Sequence, residues 1–440
     1  MQQRFVKLGQ RLFIGSFAFL IVLGTLALKL IPGAYKPGEL SWADSLFTAT
    51  SAVCVTGLSV VDVADFSWSG QLIQLILLQL GGIGIMSLSA SILLLLGGGL
   101  SFSDSLLVSN LNEKFSLRGT ESLTWTVIIY SFACEAVGFL VILPGCLGSD
   151  APWWECVWNA LFLAVSSFCN AGLAPFRDSL IGQNGLVRLG CGCMIVLGGL
   201  GVYVIYDLIQ VFIKKRQRSL RVHSKIVLVT TAILLIGGAG LFLLFGFRNN
   251  NPISWDEALF MSATCRTAGF TCVEILNLPD VSLALCIVLM MIGGSPGSTA
   301  GGIKTSTFAV VVAAICNTLK GNQETLIFRR RIPYVVVLRA FTIIVLFSLL
   351  AGLGAVVLQL ASPPTAKQWI TRDVFEAVSA LCTVGLSIGD TTKSQLLSGK
   401  LWLTAFMFIG RIGPFTFLLF LLDRETSGLL KHPEERVIIG

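Results

Sequence analysis

Four short stretches of this chain have the residue types and spacing to take a cation out of water and hold it on backbone oxygen. They read FTATSAVCVTGL over 47–58, FLAVSSFCNAGL over 162–173, LFMSATCRTAGF over 259–270 and FEAVSALCTVGL over 375–386. Each runs through small residues to a glycine and then a large apolar side chain. The glycines, Gly57, Gly172, Gly269 and Gly385, follow one another at 115, 97 and 116 residues. Self-similarity at such a long, nearly fixed period marks an internal repeat. Glycine accepts positive φ and leaves room beside its backbone. Val55-Thr56-Gly57, Asn170-Ala171-Gly172, Thr267-Ala268-Gly269 and Thr383-Val384-Gly385 can therefore line one path with carbonyl oxygens that replace a hydration shell. One such stretch would read as a glycine turn after an interfacial helix; four in register do not.

A second constellation lies 25 to 27 residues after each glycine. The copies read LGGIG at 80–84, LGGLG at 197–201, IGGSP at 292–296 and IGRIG at 409–413. Gly82, Gly199 and Gly294 share a register that Arg411 takes in the fourth copy. A charge in the middle of a span is expensive and functional by default, and three glycines leave space for its long side chain. A lipid-facing arginine is the alternative. In the third copy Gly294-Ser295-Pro296-Gly297-Ser298-Thr299-Ala300-Gly301-Gly302 interrupts the apolar run before Ile303-Lys304-Thr305. Proline and four glycines cannot sustain a helix there, and the freed backbone groups need partners or water. The expectation is a loop crossing the path just inside the carbonyl rings, mobile because little packs it. With Arg411 and Lys304 it would form one gate; a purely structural kink is the alternative. A phosphate-binding loop is rejected, because Ile303 separates Gly302 from Lys304 and no strand precedes the segment.

The elements that must position these residues follow from hydropathy. Apolar runs able to cross ~30 Å of hydrocarbon fall near 12–31, 71–97, 123–147, 186–213, 225–247, 281–318, 335–361 and 400–422. The first reads as an uncleaved span. Each copy is then span, short helix, glycine-bearing descent, span, an M1-P-M2 unit. Helices of 10–12 residues cannot cross and must be re-entrant. Asp44, Asn159, Asp256/Glu257 and Asp373 suit their first turns. Their C-terminal ends, each about −0.5 of a charge, would favour a cation at the membrane centre. The units are expected at 1–100, 101–222, 223–332 (broken second helix) and 333–422, with a cytoplasmic tail at 423–440.

The 440 residues are 54% hydrophobic and 12% charged, with a mean hydropathy of +0.83. Soluble domains carry about 25% charged residues. Such a composition excludes a cytosolic enzyme, a disordered chain and a nucleic-acid binder. The fold class expected is an all-α polytopic membrane protein, four tandem units around a central pseudo-fourfold pore. Arg4/Lys7/Arg11, the basic run 214–225 and the basic residues of 320–339 share one side of an eight-span chain. The positive-inside rule then places both termini in the cytoplasm. Contact with membrane lipid or an acidic cytoplasmic partner is a second use for these runs. Twelve cysteines without C-x-x-C and two histidines make neither a disulfide scaffold nor a metal site. Cys146 and Cys156 share an outer loop and could pair. Cys54, Cys169 and Cys382 read as small packing residues three before the glycine; Arg266 takes that register in the third copy, as an outer or helix-end charge. Glu135 and Asp207 are too isolated for a membrane enzyme. A symporter would favour inverted repeats around a midplane site; four copies running in one direction favour a pore.

The fourfold span, pore helix, filter glycine, span pattern resembles the Trk/Ktr/HKT superfamily of potassium transporters. TSAVCVTGL at 50–58 and the broken third unit are most similar to the membrane subunit of the bacterial Ktr system. The resemblance covers Leu12 to Leu422. It implies K⁺ as the transported ion, often with Na⁺ dependence, and no organic cofactor. It also implies a homodimer on a cytoplasmic ring of nucleotide-binding (RCK/KTN-type) regulatory subunits, and gate roles for the loop and Arg411. In plant members a serine at the first filter glycine goes with Na⁺ selectivity, so Gly57 matches the K⁺-selective pattern. Leu58, Leu173, Phe270 and Leu386 depart from the T-V-G-Y-G of K⁺ channels.

Overall fold

A computed structural model describes residues 2–95, 117–148, 151–213, 215, 219–246, 253–361, 370–389, 392–393 and 395–421. The predicted tail at 423–440 and the predicted boundary near 100 lie outside the described residues. Among the described residues, fifteen helices longer than one turn fall into four groups. The first group holds α1 (Gln2–Leu30), α2 (Trp42–Val53) and α3 (Trp68–Leu95). In the second, α4 (Leu117–Leu147) and α5 (Trp153–Phe168) precede α6 (Gly185–Leu200) and α7 (Val202–Leu208). The third comprises α8 (Val222–Phe245), α9 (Trp255–Thr264), α10 (Asp280–Met291) and α11 (Thr305–Leu319). The fourth comprises α12 (Tyr334–Ala361), α13 (Ile370–Leu381), α14 (Leu397–Ile412) and α15 (Pro414–Leu421).

The groups pack alike. A glycine on each long first helix sits where a side chain would strike both the short helix and the helix after it. Gly24 meets Ala49 and Leu77, and Gly138 meets Ala164 and Met194. Gly238 meets Ser262 and Leu289, and Gly354 meets Ala377 and Phe406. One continuous apolar core runs from α1 to α14. Large apolar side chains such as Phe19, Leu140, Ile236 and Leu349 face outward on the long helices. A helix apolar on every side is one built for lipid or a deep interior. Among the described residues, Trp125–Leu147, Val222–Phe245 and Tyr334–Ala361 are long and apolar enough to cross a membrane unbroken.

Several expectations are corrected. Only the third unit was expected to break, yet the second and fourth also break, at Gly201 (φ +80°) and Gly413 (φ +91°). Past Gly201 the chain to Ile213 turns by 94°. The short helix α5 has 16 residues rather than 10–12 and starts at Trp153. Its first-turn acid is Glu155, which leaves Asn159 buried farther along. Elsewhere the caps stand as read: Ser41 Oγ accepts the Asp44 N–H at 3.0 Å, and Ser254 with Glu257 forms a capping box. The helical plan is also interrupted by one hairpin, β1 (Thr325–Ile327) against β2 (Arg330–Ile332). Phe328 and Arg329 turn it with φ of +48° and +60°, the two-residue geometry that fits strand twist. Its Ile327 and Ile332 seat on Val310, Val311 and Val337, so the basic run 329–331 stands outward on a fixed support.

Candidate functional site

Each short helix delivers its chain end into the same unusual backbone. φ is +53° at Val55 and +90° at Gly57, +57° at Asn170 and +70° at Gly172. It is +67° at Thr267 and +82° at Gly269, +50° at Thr383 and +96° at Gly385. The residue between keeps negative φ, so handedness alternates along each segment. Left-handed backbone costs a non-glycine residue roughly 1–2 kcal/mol, and here hydroxyl residues of the preceding helix hold it. Thr56 N–H donates to the Ser51 carbonyl at 2.8 Å and Gly57 N–H to the Ser51 hydroxyl at 3.1 Å. Ser379 repeats both bonds with Val384 and Gly385, at 2.8 and 3.1 Å. Ser166 and Thr264 instead donate their hydroxyls past the glycine, to the carbonyls of Leu173 (2.7 Å) and Phe270 (2.8 Å).

The four segments close into a ring. A Cβ on Gly57 would fall on the carbonyl oxygen of Ala171, one on Gly172 on that of Ala268, one on Gly269 on that of Val384, and one on Gly385 on that of Thr56. All twelve sequence-predicted carbonyl residues thus belong to segments that meet. Gly57, Gly172, Gly269 and Gly385 line a single cavity of about 400 Å³. Asp62, Asp178, Glu274 and Lys393 stand farther out in the same cavity. On the other side, Gly81, Gly198 and Gly410 bring the later helices against the last helical carbonyls of Val53, Phe168 and Leu381. The hydroxyls of Thr56, Thr267 and Thr383 are buried with no hydrogen-bond partner among the described residues.

The third group departs at the expected place but not in the expected manner. Residues 292–304 are not loosely packed: Ser295, Thr299 and Ser298 are buried. The loop is stitched to the second group, whose break at Gly201 frees carbonyls there. Ser295 N–H donates to Gly199 O (2.9 Å), Thr299 N–H to Gly198 O (3.3 Å) and Thr299 Oγ1 to Phe168 O (3.1 Å). Val202 N–H reaches back to Gly297 O at 3.1 Å. Ile292 and Ile303 pair as a parallel bridge, closing the loop at its base. Its far side meets the fourth glycine-bearing segment, where a Cβ on Gly301 would strike Thr383 Oγ1 and Cys382 O. Lys304 Nζ donates to Ala300 O at 2.6 Å.

Arg411 is buried, which removes the lipid-facing reading. Its guanidinium donates to Thr299 O at 2.6 Å and to Gly81 O at 3.4 Å. Among the described residues no carboxylate pairs with it. The structure thus brings Gly294 to Gly302, Lys304 and Arg411 to one level below the ring. Arg266 is buried at the C-terminal end of α9, where the helix dipole favours a cation, and not an outer charge. Cys54, Cys169 and Cys382 are buried; Cys169 Sγ lies 2.7 Å from where Gly82 would carry a Cβ. Cys146 and Cys156 are not joined by a disulfide; Cys156 Sγ donates to the Cys146 carbonyl at 3.2 Å.

A family model described as a cation transport protein, TrkH, matches residues 16–428. The chain belongs to the TrkH family. The Ktr system potassium uptake protein B of Vibrio alginolyticus is 35% identical to it over 433 residues, 96% of this chain and 93% of that protein. The potassium/sodium uptake protein NtpJ of Enterococcus hirae is 33% identical over 98% of this chain and 97% of its own. The crystal structure of the potassium transporter TrkH from Vibrio parahaemolyticus superimposes with a TM-score of 0.74, covering 95% of this chain and 85% of that one. At 18% identity that match speaks for the fold alone.

Within this TrkH-family chain, sequence reading missed the hydroxyls that hold the segments. Ser51, Ser166 and Ser379 stand six residues before their glycines and Thr264 five before. That periodicity was readable in the four aligned stretches. Glu376, on the same helix as Ser379, carries no signal in the sequence beyond being an acid in an apolar stretch.

Proposed function

We propose that the chain is the pore-forming membrane subunit of a potassium uptake system, with one ion path through the centre of four M1-P-M2 units. The unit bounds are those expected from the sequence, 1–100, 101–222, 223–332 and 333–422. The observation that carries this reading is the closed ring in which Gly57, Gly172, Gly269 and Gly385 each abut the next segment's carbonyl and share one cavity. The curated relatives named for potassium and for potassium/sodium uptake agree with it.

The mechanism follows from the parts. A hydrated cation enters the outer cavity, where Asp178 and Glu274 supply negative charge and Asp62 is paired with Lys393. It sheds water at the ring, because carbonyls at 55–57, 170–172, 267–269 and 383–385 take the place of the hydration shell. The C-terminal ends of four short helices stabilise it there and disfavour an anion. Below the ring, the loop 294–302 with Lys304 closes the way, and the positive charge of Arg411 opposes a cation. Conduction requires the loop to leave its seat on Gly198 and Gly199. The site needs no organic cofactor. Na⁺ dependence, a homodimer, cytoplasmic termini and a nucleotide-binding regulatory ring complete the reading by likeness to Ktr systems.

The test is growth of a bacterium lacking K⁺ uptake, at low K⁺, with and without Na⁺, carrying this chain alone or with a Ktr-type regulatory subunit. Rescue that depends on the chain is expected. Absence of rescue in every ionic condition, with the chain present in the membrane, counts against the function. An alternating-access symporter is the second reading, favoured by the likeness to the potassium/sodium uptake protein of Enterococcus hirae.

A further inference from the structure

Behind the fourth filter segment stands a carboxyl that the path above does not use. Glu376 lies on α13 nine residues before Gly385, where the other copies carry Thr48, Leu163 and Phe260. It is fully buried. Oε1 accepts from the Ser387 hydroxyl at 2.5 Å and from Ile388 N–H at 3.1 Å, and Oε2 accepts from the Thr392 hydroxyl at 2.7 Å. The two hydroxyls stand 3.0 Å apart. Among the described residues no basic side chain pairs with Glu376, so three donors from one short segment hold it. A buried donor left without its acceptor keeps its full desolvation cost, so these three bonds are expensive to lose.

Ser387 and Thr392 are not remote from the ion path. Both line the outer cavity with Gly385 and Lys393. The helix α13 therefore grips the fourth segment at two places: Ser379 holds Gly385 from the inner side, and Glu376 holds Ser387, Ile388 and Thr392 from the outer side. Lys393, next to Thr392, reaches across to Asp62 of the first group at 2.9 Å. In the first three groups no acid occupies the register, so one quarter of the rim is fixed by a means the others lack.

We propose that Glu376 is a positioning residue for selectivity: by holding Ser387, Ile388 and Thr392 it fixes the rim of the fourth segment, and with it the spacing of the Gly385 carbonyl ring. The inference rests on the filter reading above. Removing the carboxyl leaves the Ile388 and Thr392 donors buried without that acceptor and the half-buried Ser387 hydroxyl turned to the cavity, and the segment relaxes outward. A looser ring no longer matches K⁺ and discriminates less against Na⁺.

The experiment uses the full chain in liposomes and measures the Na⁺ concentration that halves Rb⁺ uptake. Glu376→Leu is expected to lose at least about fivefold in preference over Na⁺, the scale of a lost buried hydrogen bond. Glu376→Gln, which still accepts from Ser387 and Ile388, stays within about twofold of the unaltered protein. Glu376→Leu combined with Ser387→Ala does no worse than Glu376→Leu, because both act through one contact. An unchanged ratio in monodisperse Glu376→Leu, or full additivity in the double variant, overturns the proposal. If Glu376→Leu does not fold, Thr392→Val and Ser387→Ala carry the test: both must lower the ratio, and an unchanged ratio overturns the proposal. Gly57→Ser in the same assay separates the two readings. A shift there with none at Glu376 sinks this proposal alone, and no shift in either sinks the filter assignment.

Discussion

Arg411 donates from Nη1 to the carbonyl oxygen of Thr299 at 2.6 Å, tying α14 to the middle of the loop that interrupts the third group. The same residue, Thr299, sends its hydroxyl to Phe168 O at 3.1 Å, the last helical carbonyl of α5. Arg411 also reaches Gly81 O at 3.4 Å. Thr299 is thus held by the second and fourth groups, and the arginine holding it also touches the first. On the proposed gating, the loop opens by giving up this small set of bonds.

The first prediction removes those bonds. Arg411→Ala should raise Rb⁺ flux into liposomes by about tenfold, since a charged hydrogen bond is worth roughly 1.5–3 kcal/mol. Deleting 296–299 should raise it too, because Thr299 goes with the deletion. The double change should add little to either, as both release the same contact. A fall in flux with the protein still monodisperse would falsify the gate and leave a structural kink.

Gly57→Ser addresses the ring. Its φ of +90° strains any side chain, and the new Cβ would land on the Ala171 carbonyl oxygen. The carbonyl has to move, so the ring loses its fit to K⁺. Na⁺ uptake should rise relative to Rb⁺ uptake in competition assays. Identical competition curves would remove Gly57 from the filter.

The residues that carry this ring were legible because the four copies repeat: a glycine at a fixed place after small residues has a backbone meaning that a single sequence displays. Arg411 was legible as the exception to a glycine register. The packing of 294–302 was not. Glycine and proline showed that no helix could form, but the carbonyls that receive the loop come from Gly198 and Gly199, about a hundred residues away. The break that frees them, at Gly201, carries no local signal beyond one more glycine in a glycine-rich span. The hairpin was hidden for a related reason: its strands are three residues each and gain their stability from α11 and α12. Glu376 was visible as a letter, yet its meaning depends on Ser387 and Thr392 folding back over it.

The hydroxyl supports give a third prediction. Ser51→Ala and Ser379→Ala each leave a filter glycine N–H without its acceptor, at a cost of about 0.5–1.5 kcal/mol. Ser166→Ala and Thr264→Val instead free the carbonyls of Leu173 and Phe270, outside the ring. The first pair should reduce K⁺ over Na⁺ preference by about two- to tenfold. The second pair should change it less while lowering the melting temperature in detergent. Equal effects on selectivity from both pairs would show that the two bonding modes do not differ in function.

The seam between the second and third groups gives the last prediction. Arg188 on α6 pairs with Asp256 at the start of α9 at 2.6 Å. The Asp256 carboxyl is held below its usual range, first by the Ser254 hydrogen bond and then by Arg188. A carboxyl whose folded pKa is depressed contributes stability above its unfolded pKa of about 3.9, and loses it as pH falls through the folded value. The pair is partly open to solvent, so a double-mutant cycle of Arg188→Gln and Asp256→Asn should return a coupling of only about 0.5–1 kcal/mol near neutral pH. Melting temperatures in detergent should then converge between the unaltered protein and Asp256→Asn as pH drops below about 4. A gap that persists or widens on acidification would mean that Asp256 acts as a neutral cap on α9 and that Arg188 contributes nothing through its charge.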